Sequence, residues 1–537
     1  MNLLMVLISS LLYTAAFPLW NVGHAAFIAL VPLFMAAENA RSTLRAAVYG
    51  ALWGALVSTG MGYWLFPTLI GHFNVWPPKA VLFFIVSVTL PTAMIYAGLI
   101  AVYRFTRSPH VAWYALVVPA IWTLGEYLKE MVPVLLPWGA IGYAALPFER
   151  FVQVADIAGI HGLTFIIVMI NALVWFMLGL IVRKKPAGHA LFRHRPMSGP
   201  SRPKALMAAA GMLILALSLP AAYGAFRLER VNEDIRNRLR QTVPMEAVLV
   251  QGNFDLDDRW SGMGFYNRIG TYLEMSVHHQ AGRDIGEPET REQPESRKRV
   301  IVWPETTLNE PARLDSSLFG HIMNVIGEDA LLISGGIHRD DATGKETNCA
   351  YLVSGKGGLL RYDKHILLPY AETTLMVDWL GQYYTAPAEF APGRTASRMD
   401  TPHGRVGMSI CFEILYPRYI ARSTAAGADF LVNMSNDAWF GDSPMPYMHL
   451  KAARMRAIEN RRFLLRTANS GVSALIAPDG RILGQTDLFQ RQVIKGDFVH
   501  MSAMSLYTRY GDWLIALCGI ILGIRLLAIV MAGQDRT

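Results

Sequence analysis

Long apolar stretches separated by short polar segments make up the first 226 residues of the chain. Most of them reach the roughly 20 residues that a helix needs to cross the hydrocarbon core of a membrane. Seven spans are predicted, at residues 3–20, 22–38, 44–66, 80–103, 110–128, 155–182 and 205–226. The first two are short and close together, so they could form one re-entrant hairpin instead. Neither a basic segment nor a small-residue cleavage site accompanies the first stretch, which argues against a signal peptide.

The pattern changes from Met245 onwards, where short β-branched runs alternate with amphipathic ones. Strands are predicted at residues 247–251, 300–303, 330–334, 348–353, 359–362, 406–411, 430–433, 463–467, 473–477 and 493–498. Helices are predicted at residues 262–279, 312–326, 415–425 and 445–460. Alternation of this kind is typical of a layered α/β domain.

A last apolar stretch, residues 513–532, predicts an eighth span, in which Arg525 must reach the membrane surface or find a partner. The mixed-charge stretch 227–240 predicts a short helix leaving the membrane. The chain therefore divides into a transmembrane bundle (1–226), an α/β domain (227–510) and a terminal span with a short tail (511–537).

Composition and charge agree with a membrane protein. Hydrophobic residues make up 53% of the 537 residues and charged residues only 17%, which departs from a soluble domain in both respects. The net charge of +8 could indicate nucleic-acid binding, but seven basic residues lie within residues 183–204, between two spans. The loops after spans two, four and six carry 11 lysines and arginines, and the opposite loops carry 3. The positive-inside rule then makes the N-terminus cytoplasmic and exports the α/β domain.

Three segments of the α/β domain end in residues that together form a catalytic set. The apolar run 406–410 leads into Cys411, a position from which a side chain can face a cleft in an open sheet. A lone cysteine there would more often be a small core residue. However, the run 300–303 leads to Glu305 and the run 359–362 to Lys364. Glutamate, lysine and cysteine can serve as a base, an oxyanion stabiliser and a nucleophile.

These segments, Trp303-Pro304-Glu305, Tyr362-Asp363-Lys364 and Ile410-Cys411-Phe412-Glu413, resemble the triad motifs of the nitrilase superfamily. The runs 432–440 and 449–460 are similar to those of the apolipoprotein N-acyltransferase family, membrane enzymes that add a third acyl chain to bacterial lipoproteins. The resemblance covers nearly the whole chain. It departs from the family pattern at Phe412, where many members have tyrosine, and at Tyr370-Ala371, where Phe-Gly is commoner.

The resemblance implies a fold and an activity. The expected fold is a bundle of eight transmembrane helices with an exported α-β-β-α sandwich of nitrilase type. The expected reaction moves an acyl chain from a phospholipid donor, through a thioester on Cys411, to the amine of a diacylglyceryl-cysteine lipoprotein. The protein would lie in the bacterial inner membrane as a monomer, with its catalytic domain in the periplasm. No metal, cofactor or nucleic acid is expected.

The resemblance also implies residues around the triad. Glu372 is expected to orient Lys364, and Glu413 would share a face with Cys411 if the strand continued that far. Either glutamate could equally make a structural ion pair. Trp260 matches a family tryptophan near the site, although ordinary packing would explain it nearly as well.

Aromatic residues are the candidates for contact with lipid. Trp138 and Tyr143 match a family segment near the active site, and they could instead belong to the aromatic belt of the membrane surface. Trp379, Tyr383 and Trp439 lie in stretches too apolar for a solvated loop. Such stretches favour mobile arms that admit acyl chains, or a small satellite core.

Two alternative functions remain open at this point. A membrane-anchored amidase or nitrilase would share the triad and use water as the acceptor, whereas a transporter or receptor would carry an inactive enzyme-like domain. Cys349 and Cys518 are predicted to be structural, and Cys349 is expected to lie well apart from Cys411.

Overall fold

The computed structural model describes residues 1–18, 20–72, 74–132, 137–182, 201–255, 262–277, 297–311, 316–355, 358–373, 389–394 and 397–534. The chain forms two compact units. The helical unit comprises Met1–Arg227 with Tyr510–Thr537, and the α/β unit comprises Leu228–Arg509.

Helices of very different length build the helical unit. In chain order they are α1 (Asn2–Ala15), α2 (Val31–Glu38), α3 (Thr43–Gly62), α4 (Leu65–Pro67), α5 (Pro77–Phe84), α6 (Leu90–Thr106), α7 (Val118–Met131), α8 (Ala155–Val182) and α9 (Ser201–Gln241). Two π-helical turns each end two residues before a proline: Ile85–Thr89 before Pro91 and Trp113–Val117 before Pro119. Proline removes a backbone donor from the helical ladder, and a π-turn is one way in which the chain adjusts to that loss.

Four helices in the described ranges are long and apolar enough to cross a membrane, namely Pro77–Thr106, Phe151–Ile181, Arg202–Gln241 and Trp513–Ala532. The first two predicted spans contain shorter helices. With 14 and 8 residues, α1 and α2 rise only about 21 and 12 Å, against the roughly 30 Å of a hydrocarbon core. Helix α1 ends before Pro18, as expected because a proline disfavours helical backbone in the residue before it. The prediction of a separate short helix at 227–240 is wrong, because these residues belong to α9, which continues without a break to Gln241.

Buried polar side chains satisfy backbone groups inside the helical unit. Asn171 of α8 accepts a hydrogen bond from the Leu30 N–H and donates one to the Ala26 carbonyl, each at 2.9 Å. These two backbone groups lie in and just after the 3₁₀ helix Gly23–Phe27, where helical hydrogen bonding does not supply every partner. Asn171 therefore joins that segment to α8.

Two six-stranded sheets form the centre of the α/β unit. Their strands are β1 (Met245–Gln251), β2 (Arg299–Leu308), β3 (Ala330–Arg339), β4 (Glu346–Ser354), β5 (Gly358–Asp363), β6 (Arg398–Thr401), β7 (Gly404–Ile410), β8 (Phe430–Ser435), β9 (Leu464–Ala468), β10 (Ala474–Ile476), β11 (Ile482–Gln485) and β12 (Gln492–Phe498). The strand orders are β12-β1-β2-β3-β4-β5 and β11-β10-β9-β8-β7-β6. In each sheet the three strands β1–β3 or β7–β9 are parallel, and antiparallel strands flank them.

Helices cover the outer faces of both sheets. On the first sheet lie α10 (Gly262–Val277) and α11 (Ser316–Ile326), which share a buried apolar core with β1–β4. On the second lie α12 (Pro417–Ala425) and α13 (Met445–Asn460). The two sheets face each other, with β2 against β8 and β9. The result is the expected α-β-β-α order of layers.

The predicted strands and helices of this unit are present within a few residues of their expected bounds. Sequence reasoning missed β6 and β11, which are edge strands of four residues each. An edge strand with few fully buried positions lacks the apolar signal on which the prediction depends. The unit ends in a short helix, α14 (Leu506–Tyr510), and α15 (Trp513–Gln534) of the helical unit follows.

Arg525 lies on α15, as the sequence required, and it has partners. Its guanidinium donates to the carbonyl of Thr106 at 2.8 Å and to that of Arg107 at 2.9 Å. Carbonyls at a helix C-terminus lack helical partners, so the cation satisfies two of them at the end of α6.

The role of Asn171 can be tested by Asn171→Leu, which leaves the Leu30 N–H and the Ala26 carbonyl without this partner. Unpaired buried groups cost about 1–3 kcal/mol each, so we expect the free energy of unfolding to fall by about 2–4 kcal/mol. Melting of the purified protein in detergent measures the change. Thr59→Ala removes an exposed hydroxyl bonded within its own helix and should alter stability little. Equal melting curves for both variants would contradict the role of Asn171.

Candidate active site

Glu305 lies in an irregular part of β2. The pairing of β2 with β3 shifts between Trp303 and Leu308, so the residues between them leave the regular ladder. A side chain at Gly335 on β3 would meet the Glu305 backbone at 2.4 Å, so only glycine lets the two strands approach there. Thr306 then adopts a left-handed φ of 58°. The Glu305 side chain itself is buried.

Lys364 directly follows β5, and its backbone is held on both sides. Its N–H donates to the Asn348 carbonyl at 2.9 Å, and its carbonyl accepts from the Gly393 N–H at 2.7 Å. The ammonium lies 3.3 Å from Glu305 Oε1 and 2.8 Å from Glu372 Oε2. Only 1% of the lysine is exposed. A buried cation between two carboxylates is thus the centre of the site.

Asn348 of β4 connects the same two carboxylates. Its side-chain amide donates to Glu305 Oε1 and to Glu372 Oε1, both at 2.7 Å. Glu305 is further held by the Asn436 N–H, which donates to Oε2 at 2.8 Å. Glu372 is fixed by the Leu368 N–H at 2.7 Å. Sequence reasoning had placed Asn348 in a strand without giving it a role.

Cys411 occupies the first position after β7 and is buried. Its φ of 50° is left-handed, which is uncommon for a residue with a side chain and is typical of functional sites. A nucleophile elbow usually has a closing glycine, which the stretch 407–411 lacks. The backbone nevertheless makes a comparable sharp turn at Cys411, after a parallel strand. The next residue, Phe412, is also buried and packs edge-on against Tyr416 with ring centres 5.3 Å apart.

The charges around Cys411 act in opposite directions. Burial and the carboxylates of Glu305 and Asp437 raise the pKa of the Cys411 thiol well above its usual value, while Lys364 and the Ser435 hydroxyl lower it. Burial alone would lower the pKa of Lys364, but Glu372, Glu305 and Cys411 raise it well above its usual value. The resting site therefore holds a neutral thiol beside a permanent ammonium.

Glu413 does not share a strand face with Cys411, because β7 ends at Ile410 and a 3₁₀ turn, Cys411–Leu415, follows. The condition for a shared face, a strand that continues to Glu413, is therefore not met. Instead the buried carboxylate accepts from the backbone N–H groups of Ile410 and His365, both at 2.7 Å, and of Ile366 at 3.1 Å. It thus ties the segment after Lys364 to the end of the strand before Cys411.

Aromatic hydroxyls extend the contacts of Glu413. The Tyr362 hydroxyl donates to the second oxygen of Glu413 at 2.6 Å and lies 2.5 Å from the Tyr419 hydroxyl. The Tyr419 hydroxyl in turn lies 2.6 Å from Nδ1 of His365. Burial raises the pKa of Glu413 to about 7, although Tyr362 and the backbone N–H groups of Ile410 and Ile366 act against it.

A polar turn after β8 completes the surroundings of the sulfur. The Ser435 hydroxyl donates to Asp437 Oδ1 at 2.6 Å, and Arg466 donates to Asp437 Oδ2 at 2.7 Å. His449 Nδ1 lies 3.1 Å from Asp437 Oδ1. Ser435, Asp437 and His449 belong to runs that were noted only for their family resemblance, and Arg466 lies in a predicted strand. The signal that pointed to Cys411, a polar residue directly after a buried strand, applies equally to Ser435–Asp437.

The aromatic residues expected near the site or in contact with lipid lie in the helical unit, in the α/β unit, or outside the described residues. Trp138 borders a cavity of about 50 Å³ in the helical unit, together with Tyr96 and Lys129, and its carbonyl accepts from the Lys129 ammonium at 3.4 Å. Tyr143 is buried in a 3₁₀ turn of the same unit, and Trp439 of the α/β unit is half-buried. Trp260, Trp379 and Tyr383 lie outside the described residues.

The cysteines and metal-binding residue types complete the description. Cys349, Cys411 and Cys518 are all free thiols. Cys349 lies within β4 of the first sheet and Cys411 after β7 of the second. Among the residues with described positions, no group of three His, Cys, Asp or Glu side chains could hold a metal ion.

Comparison with known families adds to this geometry. Residues 296–502, which include Glu305, Lys364 and Cys411, match the carbon-nitrogen hydrolase family. Residues 9–173 match the N-terminal domain of apolipoprotein N-acyltransferase. Together the two matches cover more than two thirds of the chain.

Individual relatives match over almost their whole length. An apolipoprotein N-acyltransferase of Geobacter metallireducens is 28% identical over 95% of this chain and 91% of its own. One of Chromobacterium violaceum is 26% identical over 100% of this chain and 96% of its own. A crystal structure of a Saccharomyces cerevisiae nitrilase-superfamily member aligns with 50% of this chain and 93% of its own, at 18% identity and a TM-score of 0.36. From the two family matches and the two apolipoprotein N-acyltransferase relatives, the chain belongs to the apolipoprotein N-acyltransferase family, and its α/β unit is an enzyme domain of the carbon-nitrogen hydrolase superfamily.

Proposed function

We propose that this protein transfers an acyl chain from a membrane phospholipid to the N-terminal amine of a diacylglyceryl-cysteine lipoprotein, through a thioester on Cys411. The observation that carries the proposal is the buried cluster in which Lys364 contacts Glu305 and Glu372 and interacts electrostatically with Cys411. The names of the relatives from Geobacter metallireducens and Chromobacterium violaceum support the same reaction.

In the first half-reaction Cys411 attacks the ester carbonyl of the phospholipid. Because the resting thiol is neutral, Glu305 takes its proton as the carbon–sulfur bond forms. The negative charge that develops on the carbonyl oxygen is stabilised by the Lys364 ammonium. The ester carbon–oxygen bond then breaks, and Glu305 returns its proton to the departing alkoxide. The products are a lysophospholipid and an acyl-thioester on Cys411.

In the second half-reaction the neutral amine of the lipoprotein attacks the thioester. Glu305 accepts a proton from the amine, and Lys364 again stabilises the oxyanion. The carbon–sulfur bond breaks as the amide forms, and the leaving sulfur recovers a proton from Glu305. Each half-reaction returns the carboxylate to its starting state. Because the acyl group is held on Cys411 between the two half-reactions, ping-pong kinetics are expected.

The surrounding residues act on the triad by position. Glu372 and Asn348 hold Lys364 and Glu305, and Glu413 fixes the two backbone segments that carry Lys364 and Cys411. None of these three needs to exchange a proton with substrate. Preorganisation of this kind keeps charges where the transition state requires them.

The membrane arrangement is also part of the proposal. It comprises eight crossings of the bacterial inner membrane, a cytoplasmic N-terminus and a periplasmic catalytic domain. The excess of lysine and arginine in alternate loops supports this orientation, and four apolar helices support the embedding. The protein is proposed to act as a monomer, with Trp138, Tyr143, Trp379, Tyr383 and Trp439 in contact with its substrates and Trp260 in a supporting position near the site.

The thioester is the central prediction. Purified protein mixed with phospholipid vesicles in the absence of lipoprotein should gain the mass of one acyl chain, located on the Cys411 peptide by mass spectrometry. Cys411→Ala should show no adduct, and Cys349→Ser should keep it, because Cys349 is buried in β4. An adduct on another residue, or none, would overturn the proposal. Adding a diacylglyceryl lipopeptide should convert the adduct to an amide, whereas release as free fatty acid would indicate a hydrolase.

The bridging role of Asn348 gives a second prediction. Asn348→Ala removes the donors that hold Glu305 and Glu372 at a fixed separation, so kcat/KM for lipopeptide acylation should fall about 100-fold. A fluorescent lipopeptide in mixed micelles provides the measurement. The matched control is Thr347→Ala, whose hydroxyl contacts only the His338 carbonyl at 3.5 Å among the hydrogen bonds described. Comparable activity in both variants would refute the role.

The raised pKa of Glu413 predicts a pH dependence of stability. The pKa of this carboxyl is about 7 in the folded chain and about 4.5 in the unfolded chain, so the folded state binds the proton more tightly. The resulting stabilisation is complete below the unfolded pKa and is lost as the pH rises through the folded pKa. Between about pH 5 and 8 the wild type should lose up to about 3 kcal/mol relative to Glu413→Gln. Melting curves at several pH values measure this loss. The exposed Glu328→Gln should follow the wild type, and parallel curves for Glu413→Gln would count against the assignment.

A further inference from the structure

The turn formed by Ser435, Asn436 and Asp437 contacts both the nucleophile and the base. Ser435 is the last residue of β8, which pairs with β7 in parallel so that Ile410 lies opposite Met434. The next position along each strand places Ser435 beside Cys411, where its hydroxyl lowers the pKa of the thiol. One residue later, the Asn436 N–H donates to Glu305 at 2.8 Å. Neither contact belongs to the glutamate–lysine–cysteine set.

We propose that Ser435 is a further catalytic residue, which stabilises the Cys411 thiolate by a hydrogen bond, and that Asp437 positions it. The proposal rests on the proposed function in one respect, namely that Cys411 is the nucleophile. It assigns roles to two residues, Ser435 and Asp437, that take no part in acyl transfer by Glu305, Lys364 and Cys411.

Asp437 is built to hold the turn rather than to accept a proton. Burial alone would raise the pKa of Asp437, but Arg466 and His449 hold it at about 2. Because Asp437 is then ionised, the hydrogen shared with His449 Nδ1 resides on the histidine. A side chain at Gly471 would approach the carboxylate at 2.3 Å, so glycine makes room for it there. The proton of Cys411 therefore goes to Glu305.

The single hydrogen of the Ser435 hydroxyl explains how the residue can serve both states of the sulfur. With an ionised Asp437 at 2.6 Å, this hydrogen points to Oδ1, and the serine oxygen accepts from the Cys411 thiol. Once the thiol has lost its proton, the hydroxyl can rotate and donate to the thiolate. Asp437 keeps Arg466 and His449 as partners after the rotation, so the carboxylate is not left unpaired.

This rotation matters twice in the reaction. It stabilises sulfur as an attacking thiolate in the first half-reaction and as a leaving thiolate in the second. The charged groups that face the sulfur in the described part of the chain are Glu305, Lys364 and Asp437, with Arg466 and His449 behind the last of these. Lys364 is also engaged by two carboxylates, whereas Asp437 is the one carboxylate that contacts the Ser435 hydroxyl among the described residues. The serine therefore supplies the sulfur with a further donor.

The test measures the thiol without any lipid. The rate of iodoacetamide alkylation of Cys411 is followed across pH by mass spectrometry of its peptide, in the full-length protein, with the Cys349 peptide as internal reference. Ser435→Ala should react about tenfold more slowly than the wild type at a given pH below the thiol pKa, because one hydrogen bond to a charged atom is lost. Ser435→Thr keeps the hydroxyl and should restore most of the rate.

Ser423→Ala is the matched control, since that buried serine bonds only to the Ile420 carbonyl of its own helix in the described hydrogen-bond set. It should behave as the wild type, and all variants should melt at similar temperatures. An unchanged profile for Ser435→Ala, or equal profiles for the alanine and threonine variants, would overturn the role of Ser435. If the profile shifts as expected but the wild type forms no acyl adduct on Cys411, the proposed function fails and the inference about the thiolate stands.

Discussion

The site depends on one buried ammonium held between two carboxylates. Removing Lys364 from water is costly, and only direct pairing with Glu305 and Glu372 offsets that cost. The same pairing fixes the positions of the base and of the cation. Because the carboxylates come from β2 and from the segment after β5, the ion cluster also determines how the ends of these strands are arranged. The ion pairs that stabilise the buried lysine are therefore the same contacts that set the geometry of the proposed catalytic residues.

The backbone around the cluster departs from regular geometry where the chemistry requires it. Left-handed residues occur at Cys411, directly after a strand, and at Thr306, directly after the glutamate. Glycine at 335 permits the irregular pairing of β2 and β3. Such conformations cost energy and persist only where the surroundings hold them. Glu413, with four hydrogen-bond partners, is one of the groups that hold the turn at Cys411.

Much of the α/β unit could be predicted from sequence, because its parallel strands are continuous apolar runs and the three residues of the proposed triad lie at or just after the ends of predicted strands. The bridging role of Asn348 could not, because an amide in the middle of a strand gives no local signal of the two carboxylates it will meet. The orientation of Glu413 could not be predicted for a related reason. Spacing along a strand determines orientation only while the strand continues, and the turn begins at Cys411. In the helical unit, hydropathy located the helices but overestimated the length of the first two.

The pairing of Arg525 with the end of α6 has a consequence for biosynthesis. An arginine at the centre of a membrane helix costs roughly 2.5–3.5 kcal/mol on insertion scales, so α15 alone enters the bilayer less readily than its other residues suggest. Its acceptor carbonyls, at Thr106 and Arg107, precede Arg525 in the chain by 419 and 418 residues, so they are synthesised long before the arginine. The last helix thus carries a charge whose acceptors the chain has already made.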